Sequence, residues 1–176
     1  MNNANDTQNS SKTHDGEITV IIEIPKGSRN KYEIDHETEA IYLDRYLFTS
    51  TQYPAEYGSV PHTLSDDGDP IDAFVLLEES TFPGCHIRSR VIGMIEMTDE
   101  AGGDEKLLCV PSSDPRWEST QDITDVDSHI LDEIQHFLQV YKDLEPGKSV
   151  EIGDWLGAEK ARIAIHQALE NYQRKN

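Results

Sequence analysis

The chain has 176 residues, 34 Asp and Glu against 15 Lys and Arg, a formal net charge of −19 and two cysteines, Cys85 and Cys109. That length suits one domain with a core that needs no staples. The charge excludes a general binder of nucleic acid or of anionic membranes, because either needs a basic face. The two cysteines form no CxxC pair, so reduced thiols are expected. No apolar run approaches membrane-spanning length and the N-terminus lacks a basic-then-apolar leader, so a cytoplasmic protein is expected.

Residues 1–16 (MNNANDTQNSSKTHDG) contain almost nothing apolar and predict a disordered polar tail, with His14 incidental, ahead of a single catalytic domain over 17–176. The β-branched run 18–24 predicts the first strand, with Glu23 near its end, and Pro25-Lys26-Gly27-Ser28 a turn. Segments 30–35 and 40–45 predict two more strands. In a strand Lys31 and Glu33 share a face, so Glu23, Lys31, Glu33 and Arg45 are placed to line one side of a small meander, where ordinary solvated alternation competes as an explanation. The mixture Tyr53-Pro54-Ala55-Glu56-Tyr57-Gly58 predicts a structured loop in which Tyr57 either offers its hydroxyl to an anion or plugs the core. Segment 87–97 predicts a long strand bent at Gly93. Segment 98–106 predicts an acidic hairpin tip turning at Gly102-Gly103, with Asp104 and Lys106 on one face.

A polar loop over 111–124 leads to a helical period over 127–141. Ile130, Leu131, Ile134, Phe137, Leu138 and Tyr141 make its apolar stripe, and Asp127 or Ser128 its cap. Lys142 complements the helix dipole, and Glu145-Pro146-Gly147 stops the helix. His129 and His136 fall on the polar face, as surface or subunit-contact residues rather than metal ligands. A short strand over 149–153 and a C-terminal amphipathic helix complete the chain. Short strands in irregular turns followed by two helices predict a mainly β (α+β) fold, a small bent barrel flanked by helices.

The densest chemistry is Asp66-Asp67-Gly68-Asp69-Pro70-Ile71-Asp72, four carboxylates in seven residues running directly into the apolar strand 73–77. Crowded carboxylates beside apolar surface need positive charge, and hard divalent cations with oxygen ligands supply it. Metal-assisted displacement at phosphorus needs such carboxylates, one of them to take or orient a proton, and lysine, arginine and tyrosine to hold phosphoryl oxygens. All three kinds stand here at strand ends, and no P-loop is present. An EF-hand is excluded because Ile71 and Asp72 fill positions that need an oxygen ligand and a glycine. A single-strand-binding barrel lacks its basic groove. A metal-dependent nuclease or nucleotide phosphohydrolase is the remaining alternative.

The chain resembles the soluble family I inorganic pyrophosphatases of the prokaryotic type. The resemblance is carried by Glu23-Ile24-Pro25-Lys26-Gly27 with Asn30-Lys31-Tyr32-Glu33, by Asp44-Arg45, by Tyr53-Pro54 to Tyr57-Gly58, and by Asp67-Gly68-Asp69-Pro70-Ile71-Asp72. It continues through Met97-Thr98-Asp99-Glu100 with Asp104 and Lys106, and Tyr141-Lys142-Asp143-Leu144. It covers residues 17 to about 157. It implies an OB-like five-stranded barrel with two C-terminal helices, a homo-hexamer, and hydrolysis of pyrophosphate to two orthophosphates with Mg²⁺. It further implies that Asp67, Asp72 and Asp104 hold two ions sharing the nucleophilic water. Asp69 becomes the general base. Asp99 and Glu100 serve an ion arriving with substrate, and Glu33 supports another. Lys31, Arg45, Tyr57, Lys106, Tyr141 and Lys142 grip phosphate, and Glu23 supports them from behind. Ser59 and Ser149 depart from the pattern, standing where members more often carry a bulky residue.

Overall fold

The strand-forming residues alternate between two buried surfaces, and that alternation closes the sheet. In the computed structural model, which describes residues 16–35 and 37–175, β1 (Glu17–Ile24) buries Ile18, Val20, Ile22 and Ile24 on alternate positions. Its partners are β4 (Glu56–Ser59) and, on its other side, β6 (His86–Asp99). β4 pairs antiparallel with β5 (Asp72–Val75), β5 runs parallel to β8 (Lys106–Pro111), and β8 pairs antiparallel with β6. The order β1-β4-β5-β8-β6 therefore returns to β1, giving the expected five-stranded OB-like barrel, with no free edge in the ring.

β8 is buried throughout, which is why it reads as a continuous apolar run. Leu107 and Cys109 pack on the side of α2 (Ala158–Lys175) with Ala161 and Ile165, and Leu108 and Val110 on the side of α1 (Ser128–Val140) with Ile134, Phe137 and Leu138. Asp127 caps α1, its side chain accepting from the His129 N–H. His129 and His136 are exposed. β6 slips register against β8 between Val91 and Gly93, the predicted bend. Its far half also pairs with β7 (Gly102–Gly103) and β9 (Val150–Gly157).

Four expectations change. Residues 56–59 are a strand, hidden in the sequence because proline and aromatics flank four residues only. The last strand runs on to Gly157, because Trp155 and Leu156 stay paired with Ile95 and Met94. The hairpin turns at Glu100-Ala101, and the two glycines lie on its return arm opposite Thr98 and Asp99. Finally, β2 (Asn30–Ile34) and β3 (Ile41–Tyr46) form a two-stranded hairpin of their own rather than a meander with β1. The predicted tail lies outside the described residues except for Gly16. Among the described residues, no helix is long and apolar enough to cross a membrane.

Candidate active site

One mouth of the barrel collects the ends of β4, β5, β6 and β8. Asp72 begins β5, and its register partners are Ser59 on β4 and Lys106 on β8. Asp72 Oδ2 accepts from Tyr57 Oη at 2.6 Å and from Lys106 Nζ at 2.6 Å. The same ammonium group donates to Asp104, two residues before it in the chain. Lys106 is only 2 % exposed, and burial alone would strip its charge; Asp72 and Asp104 more than reverse this and hold its pKa above the ordinary lysine value. Burial pushes the Asp104 carboxyl up to about 6, with Asp72 and Asp99 adding to the rise and Lys106 opposing it.

The acidic loop stands beside this cluster. Gly68 adopts φ +96°, a left-handed turn that glycine allows, and the Asp69 N–H donates to Asp67 Oδ1 at 3.0 Å. Burial raises the pKa of Asp67, and the charges of Asp69 and Asp72 raise it further. The base of the loop is closed by Thr63, whose buried hydroxyl donates to the Val60 carbonyl and accepts from the Ile71 N–H. Asp69 itself is exposed.

On the β6–β7 hairpin, Asp99 accepts from Lys142 Nζ at 3.1 Å, and Lys142 follows the buried Tyr141 at the end of α1. Tyr141 feels the charges of Lys142, Lys106 and Asp104, so the end of α1 faces the same mouth. The β2–β3 hairpin supplies Lys31, paired with Glu33 and Asp44, and Arg45, paired with Asp44 and Glu145. Glu23 on β1 accepts from the Ile34 N–H at 3.0 Å, which fastens this hairpin to the barrel. Burial lifts the Glu23 carboxyl to about 7, and the nearby charge of Asp72 adds to the shift.

All fourteen predicted site residues are thus linked to Asp72 or its neighbours by contacts or by mutual charge, Glu100 through Asp99 and Lys142. Glu100 is turned to the rim. It pairs with Lys148 and accepts weakly from the Ser149 N–H, and the Lys148 bond brings its carboxyl down to about 2.

The residues 20–173 match the family model described as inorganic pyrophosphatase. A Streptomyces coelicolor inorganic pyrophosphatase is 62% identical over 157 residues, covering 89% of this chain and 96% of that protein. The solved inorganic pyrophosphatase of Thermus thermophilus superposes with a TM-score of 0.89 at 40% identity, covering 92% of this chain and 94% of that one. That of Helicobacter pylori gives 0.88 at 43%, covering 92% and 96%. The chain belongs to the inorganic pyrophosphatase family.

Within this member of the inorganic pyrophosphatases, the two departures sit beside the site. Ser59 is buried opposite Asp72 and Ser149 touches Glu100. Three acids outside the predicted set also matter. Asp44 bridges Lys31 and Arg45. Glu145 is buried on Arg45. Glu56, wholly buried, accepts from the Lys26 N–H and from both the N–H and the hydroxyl of Thr81. Glu145 and Glu56 act on residues far along the chain, so the local sequence does not show their partners, whereas Asp44 also holds its own neighbour Arg45.

Among the described residues, no three His, Cys, Asp or Glu converge as a preformed metal cage. The acids instead hold lysines, and partial desolvation makes Asp67 and Asp104 bind protons more readily than ordinary carboxylates. Carboxylate oxygens are hard donors, and a set made only of them fits hard divalent cations by its chemistry.

Proposed function

We propose that the chain hydrolyses inorganic pyrophosphate to two orthophosphates at the Asp72–Lys106 mouth of the barrel, with Mg²⁺ as its metal. The observation that carries this reading is the interleaving of two opposite charge sets in one place. Lys106 joins Asp72 and Asp104, Lys142 joins Asp99, and Tyr57 joins Asp72. A substrate made of phosphate and a divalent ion needs both sets together. A nucleotide phosphohydrolase would share the acids, but family membership and the compactness of the cluster favour the smaller substrate.

Asp67, Asp72 and Asp104 are the residues that hold Mg²⁺, with Asp99, Glu100 and Glu33 available to further ions. When bound, Mg²⁺ lowers the pKa of water and offsets phosphate charge. Asp69 takes a proton from the attacking water as its oxygen bonds to phosphorus. The bridging P–O bond then breaks and its electrons leave with the second phosphate. Lys31, Arg45, Tyr57, Lys106, Tyr141 and Lys142 hold the peripheral oxygens of both phosphates, stabilising charge as it shifts toward the leaving group. Glu23 holds the Lys31 hairpin in place through Ile34.

The active form in this proposal is a homo-hexamer. Ile41, Tyr42, Leu43 and Tyr46 on β3, with Phe48 after it, are each about half exposed or more and make up five of the eight exposed large apolar side chains among the described residues. Free thiols at Cys85 and Cys109 suit a reducing compartment, and we assign the protein to the cytoplasm, without nucleic-acid or membrane partners. The test is orthophosphate release from pyrophosphate, ATP and single-stranded DNA, each with and without Mg²⁺. Release from pyrophosphate alone, and only with Mg²⁺, is expected. Preferred release from ATP contradicts the reading.

A further inference from the structure

We infer that Glu145 is the positioning residue for Arg45, fixing the guanidinium so that its remaining edge meets phosphate. Glu145 lies in the turn after α1, and its side chain is 6% exposed. It accepts from Arg45 Nε at 2.9 Å. Asp44 accepts from Nη1 of the same group at 2.5 Å. Two of the three guanidinium nitrogens are therefore committed, and Nη2 makes no hydrogen bond to any described residue. A planar guanidinium held at two corners has one orientation left, so the two carboxylates determine where Nη2 points.

Glu145 belongs to the turn that closes α1. Its backbone N–H donates to the Lys142 carbonyl at 2.9 Å, so it sits on the same tight turn that presents Tyr141 and Lys142. Arg45 belongs to the β2–β3 hairpin, which has no ladder to the barrel. Glu145 thus ties a hairpin that shares no ladder with the barrel to the end of α1. Through it, the spacing between Arg45 and the Tyr141–Lys142 pair is set. Glu23 performs the matching fastening at the far end of the hairpin, through Ile34. An acid that only capped the helix would face the turn, whereas this one is aimed at a cation of another element.

The inference rests on Arg45 meeting phosphate, as proposed above. It is tested by a double-mutant cycle on the full chain with Mg²⁺, using Glu145→Gln, Arg45→Ala and the pair, read as the Kd for inorganic phosphate by calorimetry and as kcat and KM for pyrophosphate. Glu145→Gln keeps the size and a hydrogen-bond acceptor but removes the charge. It is expected to weaken phosphate binding about fivefold and to raise KM by a similar factor, with little change in kcat. Glu145→Asp, which restores the charge on a shorter arm, should recover part of the loss. In the Arg45→Ala background, Glu145→Gln should have no further effect on Kd, because nothing remains to be positioned. Equal losses in both backgrounds, or unchanged phosphate binding in Glu145→Gln, overturn the inference. Because phosphate binding is read without turnover, an absence of pyrophosphate hydrolysis in the parent would count against the proposed function alone.

Discussion

Glu23 gives the clearest pH signature of any single residue. Its carboxyl is held at about 7 in the folded chain, against an ordinary value of 4.5, chiefly because burial disfavours its charge. The folded state therefore binds this proton more tightly than the unfolded state does. The stability it contributes is complete below about 4.5 and is lost as pH rises through about 7. The difference is about 3 kcal/mol, from 1.36 kcal/mol for each pKa unit. Chelated of metal, the parent should lose stability to urea between pH 5 and 7.5, and Glu23→Gln, which cannot ionise, should lose less over the same range. Identical pH dependence in the two proteins would mean that Glu23 ionises without cost. Much of the site was legible at this scale. Asp67, Asp72, Asp104 and Lys106 are near in sequence to strand ends, and alternation alone puts Asp104 and Lys106 on one face. Glu145 was not legible, because its partner Arg45 is 100 residues away and a helix-stopping Glu-Pro-Gly explains it without that partner.

Among the elements, β4 shows why sequence and structure part company. Four residues are too few to establish a period, and Tyr53, Pro54 and Gly58 look like loop punctuation. The glycine is explained only by the barrel: a Cβ on Gly58 would lie 1.9 Å from the Ile21 carbonyl oxygen of β1. Gly58→Ala should force β1 from β4 and cost about 3 kcal/mol or more, at the upper end for overpacking. Thermal unfolding should show this as a lower midpoint. Since the next residue back is Tyr57, whose hydroxyl reaches Asp72, activity should fall even where the chain still folds. A variant of parental stability would show that the β1–β4 crossing gives way easily. The long strand β6 and both helices were legible because their periods are sustained. The closure of the ring was not, since no local signal pairs residues 17–21 with 86–90.

The whole molecule carries a net charge of −19, yet its exposed apolar residues concentrate on and beside β3. Charge favours solubility, and a hairpin exposing apolar side chains this densely calls for a partner. In the proposed hexamer that partner is another copy, so Leu43→Glu should shift the mass measured by sedimentation from six chains toward fewer. A parent that sediments as one chain would remove the hexamer from the account. In the proposed reaction Asp69 is the base for water attack on pyrophosphate, and the pH profile of kcat for Asp69→Asn, measured beside its Mg²⁺ affinity, tests that role. The amide keeps the size but cannot take the proton. We predict retained Mg²⁺ binding and a kcat lower by about 10²–10⁴-fold at neutral pH. We also predict a residual rate that climbs further with pH than the parent's does, as hydroxide replaces the base. Near-parental kcat at neutral pH, or a loss that comes only from failed Mg²⁺ binding, would contradict it.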